Sequence, residues 1–182
     1  MSNIPNATAP KGGNDFISYD AFPESGPATL TILSVEFVPN FETTDRETGE
    51  RLVFDALQFT YGAETSAGAR FVKPWPIKYS IHEKAGYSKL YKAAKGTLPL
   101  PGSNPAELVG LGVQADLDNE NKTSKKGTAY TRTKILSFSA VHPKLKGDIA
   151  PLASLLPKLA NASKPKGDQA KAGAKGDEDG PF

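Results

Sequence analysis

The chain has 182 residues, of which 38% are apolar and 23% charged, so it suits one domain with a core and tails better than two domains. No apolar run is long enough to cross a bilayer, which excludes a helical membrane span, and the absence of cysteine excludes disulfides and thiolate metal sites. The N-terminus lacks the basic and apolar regions of a secretion signal, so we expect a cytoplasmic protein without membrane contact.

The charged residues are unevenly distributed, although the net charge is only +2. Lysine and arginine predominate in residues 70–95 and again in residues 122–146, whereas acids predominate in residues 36–64. A fold that joins the two basic segments would have one positive and one negative face, a pattern typical of nucleic-acid-binding proteins. The alternative is a set of charges scattered over a solvated surface.

The first half of the chain predicts an arm and three strands. Residues 1–27 are polar and rich in proline and glycine, and predict a loose arm whose later, aromatic part packs on the domain. Residues 30–38 and 52–61 are β-branched and apolar on either side of a glycine-containing turn, as in a hairpin. Residues 70–79 predict a third strand, which its two prolines confine to an edge or a bend because proline donates no ladder hydrogen bond.

The second half predicts a helix and two more strands. Residues 80–95 predict a short helix, opened by a Ser-x-x-Glu capping box and ended by Gly96. Residues 109–117 alternate between apolar and small or polar side chains, which indicates a half-buried strand. A basic, polar loop is predicted over residues 119–127, and residues 128–141 predict the last and longest strand.

Three strands, a helix and two strands in this order predict a mainly β protein with the OB-fold, a five-stranded Greek-key barrel with a helix between strands 3 and 4. An immunoglobulin-like sandwich would require about seven strands and no such helix. Residues 158–176 are polar and small apart from one leucine, and predict a disordered C-terminal tail. The predicted organisation is an N-terminal arm (1–27), an OB-fold nucleic-acid-binding domain (28–157), a disordered linker (158–176) and an acidic tip (177–182).

The candidate binding residues combine cations with aromatic rings. Binding a single strand without reading its sequence requires cations for the phosphates and flat rings for the bases. Trp75, flanked by prolines, is the first candidate for a stacking ring and Tyr130 the second, whereas Phe71 and Tyr79 suit the core equally well. The candidate single-stranded DNA-binding residues are Arg70, Phe71, Lys73, Trp75, Lys78, Tyr79, Lys125, Lys126, Tyr130, Arg132 and Lys134.

The chain offers no recognisable catalytic constellation. His82 and His142 are far apart, and neither has a second ligand at metal spacing. A glycine pattern at residues 110–115 matches a dinucleotide fingerprint only formally, because a strand and not a helix follows it. Phosphate-cradling and nucleophile-elbow motifs are absent from the sequence. We therefore expect no enzymatic activity, no cofactor and no metal.

Two segments resemble a known family. The last six residues read Asp-Glu-Asp-Gly-Pro-Phe and resemble the acidic tip, ending in Pro-Phe, of bacterial and tailed-phage single-stranded DNA-binding proteins. Residues 105–141 contain Glu-Leu-Val-Gly before an alternating strand and Lys-Lys-Gly-Thr-Ala-Tyr in the following loop. In this they look like the second half of phage OB-type single-stranded DNA-binding proteins.

The resemblance implies sequence-independent binding of single-stranded DNA in replication, recombination or repair, in the host cytoplasm if a bacteriophage encodes the protein. Gly180 stands where bacterial members usually carry an aliphatic residue, and the N-terminal half differs from theirs, so a bacterial-type tetramer is not implied and monomer and dimer remain open. The alternatives are an RNA-binding OB module and a non-enzymatic phage structural or scaffold protein. By the resemblance, replication or recombination proteins would bind the tip through Asp177, Glu178, Asp179, Pro181 and Phe182.

Overall fold

The computed structural model describes residues 19–163. Its elements, in chain order, are β1 (Gly26–Thr44), β2 (Arg51–Thr65), β3 (Gly68–Val72), β4 (Ile77–Lys78), α1 (Gly86–Lys95), a 3₁₀ helix (Pro105–Leu108), β5 (Gly112–Thr123), β6 (Ala129–Ser139), a second 3₁₀ helix (Pro143–Asp148) and α2 (Leu152–Ala162). The start of the predicted arm, most of the predicted linker and the whole acidic tip lie outside the described residues.

The strands form an antiparallel sheet that curls into a barrel. β1 is central and pairs with β2 on one side and with β5 on the other. β3 and β4 both pair with β2, and β6 pairs with β5. Since Pro74 and Pro76 separate β3 from β4, these two short strands act as one interrupted barrel strand at an edge, as predicted. The Tyr61 ring of β2 lies 5.3 Å from the Phe138 ring of β6, so this five-stranded barrel is nearly closed.

Helix α1 lies between the third and fourth barrel strands, where the OB-fold has its helix, and the predicted fold class is confirmed. It packs against β4, β5 and β6 and buries its apolar side in the barrel core. The helix begins at Gly86 and not at residue 80, because the Ser80 hydroxyl instead accepts a hydrogen bond from the His82 N–H in a local turn. Gly96, at a φ of 81°, ends the helix as predicted.

Two strands are longer than their sequences indicate. The predicted loop over residues 119–127 is wrong for residues 119–123, because β5 continues to Thr123 and pairs there with Ala129 of β6, but residues 124–127 form a turn. The prediction that the last strand is the longest is also wrong, since β1 has 19 residues and β6 has 11. The extension of β5 is polar on both faces, and that of β1 has Phe41 as its only large apolar side chain. No alternation therefore marks them, yet their backbone groups complete the ladder.

Helix α2 packs against β1, β2 and β3 and covers a second apolar cluster, separate from the barrel core. Leu155 is fully buried in this cluster, and Leu152 and Leu159 pack beside it. The prediction of a disordered linker is therefore wrong for residues 158–162, which are helical. The three leucines recur at i, i+3 and i+7, the spacing of an amphipathic helix, and of the three only Leu159 lies in the polar segment 158–176.

The described end of the N-terminal arm belongs to the same domain. Phe22 is buried in the barrel core. Its N–H donates to the Thr133 hydroxyl at 2.9 Å, and its carbonyl accepts from the Asn119 side-chain amide at 2.8 Å. These bonds fasten the segment before β1 to the β5–β6 hairpin. Within residues 19–163, no helix is both long enough and apolar enough to cross a membrane.

Candidate nucleic-acid interface

A groove of about 830 Å³ runs between the β1–β2 hairpin and the β5–β6 hairpin. Residues of both hairpins and the proline-flanked segment around Trp75 line it. Two buried rings of the barrel core, Phe59 and Tyr61, contribute to the lining. The groove therefore lies beside the loops that join barrel strands 1 and 2 and barrel strands 4 and 5, through which OB-folds bind oligonucleotides.

One side of the groove, here called the aromatic wall, is formed by Leu52, Phe54 and Trp75. Phe41 and Phe54 are cross-strand partners whose ring centroids lie 5.7 Å apart. The Trp75 ring meets Phe41 edge-on at 5.5 Å. Gln58 donates a side-chain hydrogen bond to the Pro74 carbonyl, which fixes the backbone next to Trp75. Trp75 nevertheless stays 57% exposed, so it presents the kind of ring surface on which bases stack.

The opposite side, here called the cationic wall, is formed by Lys122, Arg132 and Lys134, with Glu120 among them. Glu120 lies directly opposite Arg132 in the β5–β6 register, and cross-strand partners share one face of a sheet. The Glu120 carboxylate is 3.1 Å from the Lys122 Nζ and 3.6 Å from the Lys134 Nζ. A hydrogen bond from Lys122, the charge of Lys122 and then that of Lys134 lower the pKa of Glu120, so it is ionised at neutral pH.

The turn between β1 and β2 adds Arg46 to the lining of the groove. The Asp45 carboxylate accepts hydrogen bonds from the backbone N–H groups of Glu47 at 2.7 Å and Thr48 at 2.9 Å. The hydrogen bonds from Thr48 and Glu47 lower the pKa of Asp45. These bonds close the turn around Arg46 and so hold its backbone at the end of the groove.

Several predicted binding residues come together at or near this groove. Lys78 lies beside the aromatic wall, with its Nζ 5.9 Å from the Phe54 ring centroid. Tyr130 is 43% exposed and pairs with Lys122 across the hairpin. Lys125 and Lys126 are exposed in the turn of the same hairpin. Those that line the groove itself are Trp75, Arg132 and Lys134.

Two predicted aromatic residues have other surroundings. Phe71 is only 5% exposed and packs in the cluster beneath α2, so of its two predicted alternatives, core residue and base-stacking ring, the structure favours the core. The reason is that α2, more than 80 residues away in the chain, covers it. Tyr79 lies outside the groove lining, and its ring packs edge-on against Phe37 and Tyr87 at 6.3 and 5.4 Å. Its hydroxyl donates to the Ser103 carbonyl at 3.4 Å.

Two predicted cations also lie away from the groove lining. The Arg70 guanidinium donates from Nε to the Ala21 carbonyl at 3.2 Å and so holds the segment before β1. The Lys73 ammonium is 3.3 Å from the Glu36 carboxylate of β1. Both side chains thus have structural partners, Arg70 in the segment before β1 and Lys73 on β1 itself.

Sequence reasoning missed residues on both walls. Two of the three residues of the aromatic wall, Leu52 and Phe54, lie in the acidic segment 36–64, which also contributes Arg46 to the lining. The aromatic residues on each side of the turn, Phe41 and Phe54, are the signal that could have indicated this part of the groove. Glu120 precedes the second basic segment in the chain, so only the strand register reveals that it lies within the cationic wall.

The histidines do not form a metal site in the described part of the chain. The Nδ1 atoms of His82 and His142 each accept a hydrogen bond from the backbone N–H two residues later, so both residues close local turns. Within residues 19–163, no three His, Asp or Glu side chains are grouped so that they could hold a metal ion.

Comparison of the chain with protein-family models, with curated proteins and with solved structures gives no match.

Proposed function

We propose that this protein binds single-stranded DNA without reading its sequence. The observation that carries the proposal is the opposition of the aromatic wall and the cationic wall in one groove of an OB-fold. Bases would stack on Trp75 and pack along Leu52 and Phe54, while phosphates would follow Lys122, Arg132 and Lys134. This division matches the two requirements of sequence-independent binding, a ring surface for bases and cations for the backbone.

The composition of the groove favours single strands and disfavours base reading. A duplex hides the faces of its bases, so only an unpaired strand can stack on the exposed ring of Trp75. The side chains that most often read adenine are Asn and Gln, and neither lines the groove among the described residues. Affinity would therefore depend on stacking and phosphate contacts, both of which every sequence provides.

The biological setting of the proposal comes from the resemblance of the last six residues to the acidic tips of single-stranded DNA-binding proteins. The protein would coat exposed strands in phage replication, recombination or repair, and its tip would recruit enzymes of these processes. A chain that ends at residue 176 should bind DNA through the groove but no longer capture such partners. Tighter DNA binding by this shorter chain would indicate that the acidic tip competes with DNA.

Trp75 makes the central test direct because it is the only tryptophan in the chain. Titration with oligo-dT should change its fluorescence, and log K should fall with log[salt] by about 0.7 for each phosphate contacted. An RNA oligomer of equal length, used as competitor, separates a DNA-binding protein from an RNA-binding module, because the 2′-hydroxyl distinguishes the two. Absence of binding even at low salt would rule out the proposal and leave a structural phage protein.

A matched pair of variants assigns the binding to the groove. Arg132→Gln with Lys134→Gln removes two cations of the cationic wall and should reduce both the affinity and the salt slope. Lys89→Gln with Lys92→Gln removes the same charge from the exposed side of α1, away from the groove. Equal losses in both double variants would show that only the overall charge matters.

A further inference from the structure

One acid stands among the cations of the groove. Glu120 is the only carboxylate among the described residues that line it, and the same lining contains Arg46, Lys122, Arg132 and Lys134. Glu120 contacts two of these four cations through separate oxygens, Lys122 through Oε2 at 3.1 Å and Lys134 through Oε1 at 3.6 Å. Within residues 19–163, Arg46 and Arg132 take part in no ion pair.

The carboxylate occupies the place that a phosphate would need. A phosphate oxygen and a carboxylate oxygen compete for the same ammonium protons, because both are anionic hydrogen-bond acceptors. Lys122 and Lys134 can bind a nucleic-acid backbone fully only if their bonds to Glu120 loosen. Glu120 then remains in the groove as an unpaired anion near the phosphates, which weakens the complex further.

A purely structural role explains this placement poorly. Ion pairs with exposed partners contribute little to the free energy of unfolding, and the side chains of Lys122 and Lys134 are 47% and 55% exposed. The register of β5 and β6 is held by a backbone ladder that extends from Gln114 to Thr123. Removal of the Glu120 charge should therefore change ligand binding more than folding.

We propose that Glu120 is a built-in counter-ion of the groove, which the phosphates of a bound strand displace. This inference rests on the proposed function and adds to it a residue that limits affinity. The carboxylate pairs with two cations in the free protein and offsets one positive charge, so the strand is held less tightly and exchanges faster than the four cations alone would allow. The carboxylate also reduces the net release of counter-ions on DNA binding, and therefore the dependence of the affinity on salt concentration.

The test compares Glu120→Gln with Glu36→Gln in the full-length chain. Both substitutions remove one carboxylate that lies on a strand and pairs with lysine. Glu36, however, pairs with Lys73, and neither Glu36 nor Lys73 lines the groove. Oligo-dT binding is followed by Trp75 fluorescence over a range of salt concentrations. Glu120→Gln should bind about threefold or more tightly at low salt, with a slope steeper by about 0.7 for one further phosphate contact. Glu36→Gln should stay close to the original chain.

A double-mutant cycle with Lys122→Gln separates local competition from overall charge, because Lys122 is the closer partner of Glu120. If Glu120 acts by occupying Lys122, the gain from Glu120→Gln should shrink when Lys122 is already neutral. A gain of equal size in both backgrounds, or equal effects of Glu120→Gln and Glu36→Gln, overturns the proposal. Weaker binding by Glu120→Gln also overturns it, because Glu120 would then contact the bases. If no variant binds DNA at low salt, the proposed function itself fails.

Discussion

The Thr31 hydroxyl donates a hydrogen bond to the Ala150 carbonyl at 2.7 Å, and this bond joins the central strand β1 to the segment that leads into α2. Thr31 is paired with Gly62 of β2 and with Gly112 of β5. Gly112 leaves room on the sheet for the Ile149 side chain, whereas Leu33 and Phe71 fill the corresponding space over Gly62. Helix α2 follows Ile149 and Ala150 and covers the second apolar cluster.

Thr31→Val should destabilise the protein by about 1–3 kcal/mol, because it keeps the shape of the side chain but leaves the Ala150 carbonyl without its partner. Thr31 is buried, so water cannot easily replace the hydroxyl. Denaturant unfolding measures the change. Thr29→Val, two residues earlier on the same strand, is the control and should shift the free energy of unfolding by less than about 0.5 kcal/mol. Equal effects would mean that the bond to Ala150 is not the cause.

Gly112→Ala should loosen the same contact by crowding. A Cβ at this position would lie 2.4 Å from the Ile149 Cδ1 and 2.6 Å from its Cγ1, distances at which one side must move. Overpacking of this kind costs about 1–3 kcal/mol, measurable by thermal unfolding, and the double variant with Ile149→Ala should recover part of it. Gly147→Ala, where nothing lies within 4 Å of the added Cβ, should be nearly neutral. If Gly112→Ala left the thermal stability unchanged, the contact between Ile149 and the sheet at Gly112 would not be tight.

The contact between α1 and the first 3₁₀ helix should depend on pH. Glu107 accepts hydrogen bonds from Lys95 at 2.8 Å and from the Tyr91 hydroxyl at 2.5 Å, and these bonds, with that of Lys95 the larger cause, lower the pKa of Glu107 below its ordinary 4.5. A carboxyl with a lowered pKa stabilises the fold above its ordinary pKa, and the effect disappears as the pH falls through the lowered value.

Glu107→Gln should therefore melt at a lower temperature than the original chain at pH 7, and the difference should vanish as the pH is reduced well below 4.5. Melting temperatures at several pH values between 7 and 3 provide the measurement. Glu83→Gln removes an acid that forms no ion pair among the described residues and serves as control. A difference that persists at pH 3 would contradict the assigned role of the Glu107 charge.

The barrel could be predicted from the sequence because its strands and turns are marked locally. Alternation identified β5, the paired prolines identified the edge strand, and Gly96 identified the end of α1. The extensions of β1 and β5 could not be found in this way, because they have no repeated apolar period. Helix α2 was missed because Pro157 lies inside it, its last five residues begin the polar segment 158–176, and its buried leucines pack only against distant strands.

The candidate site followed from the sequence only in part, for a related reason. Trp75 was recognisable because the prolines on both sides keep it out of the regular ladder. Phe71 has the same parity on the same predicted strand, but a helix from the other end of the chain covers it. Glu120 belongs to the site through strand register alone. Local sequence patterns indicate which side chains lie on the outer face of a single strand or helix. Packing between distant segments decides which of these side chains stay exposed to solvent and which come into contact with one another.

The exposed ring of Trp75 should carry the largest single share of base stacking. Trp75→Ala should weaken oligo-dT binding by about 1–3 kcal/mol, the usual value of one stacked base, which is about 5- to 150-fold. Trp75→Phe should retain most of the affinity, since it keeps a flat ring between the prolines. Because both variants lose the intrinsic fluorophore, anisotropy of a labelled oligonucleotide is the suitable measurement.

Phe37→Ala is the control for the Trp75 variants. It removes another ring that is 56% exposed but lies outside the groove lining, and it should bind oligo-dT almost normally. An equal loss in Phe37→Ala would place the bases elsewhere on the barrel and contradict the assignment of the groove.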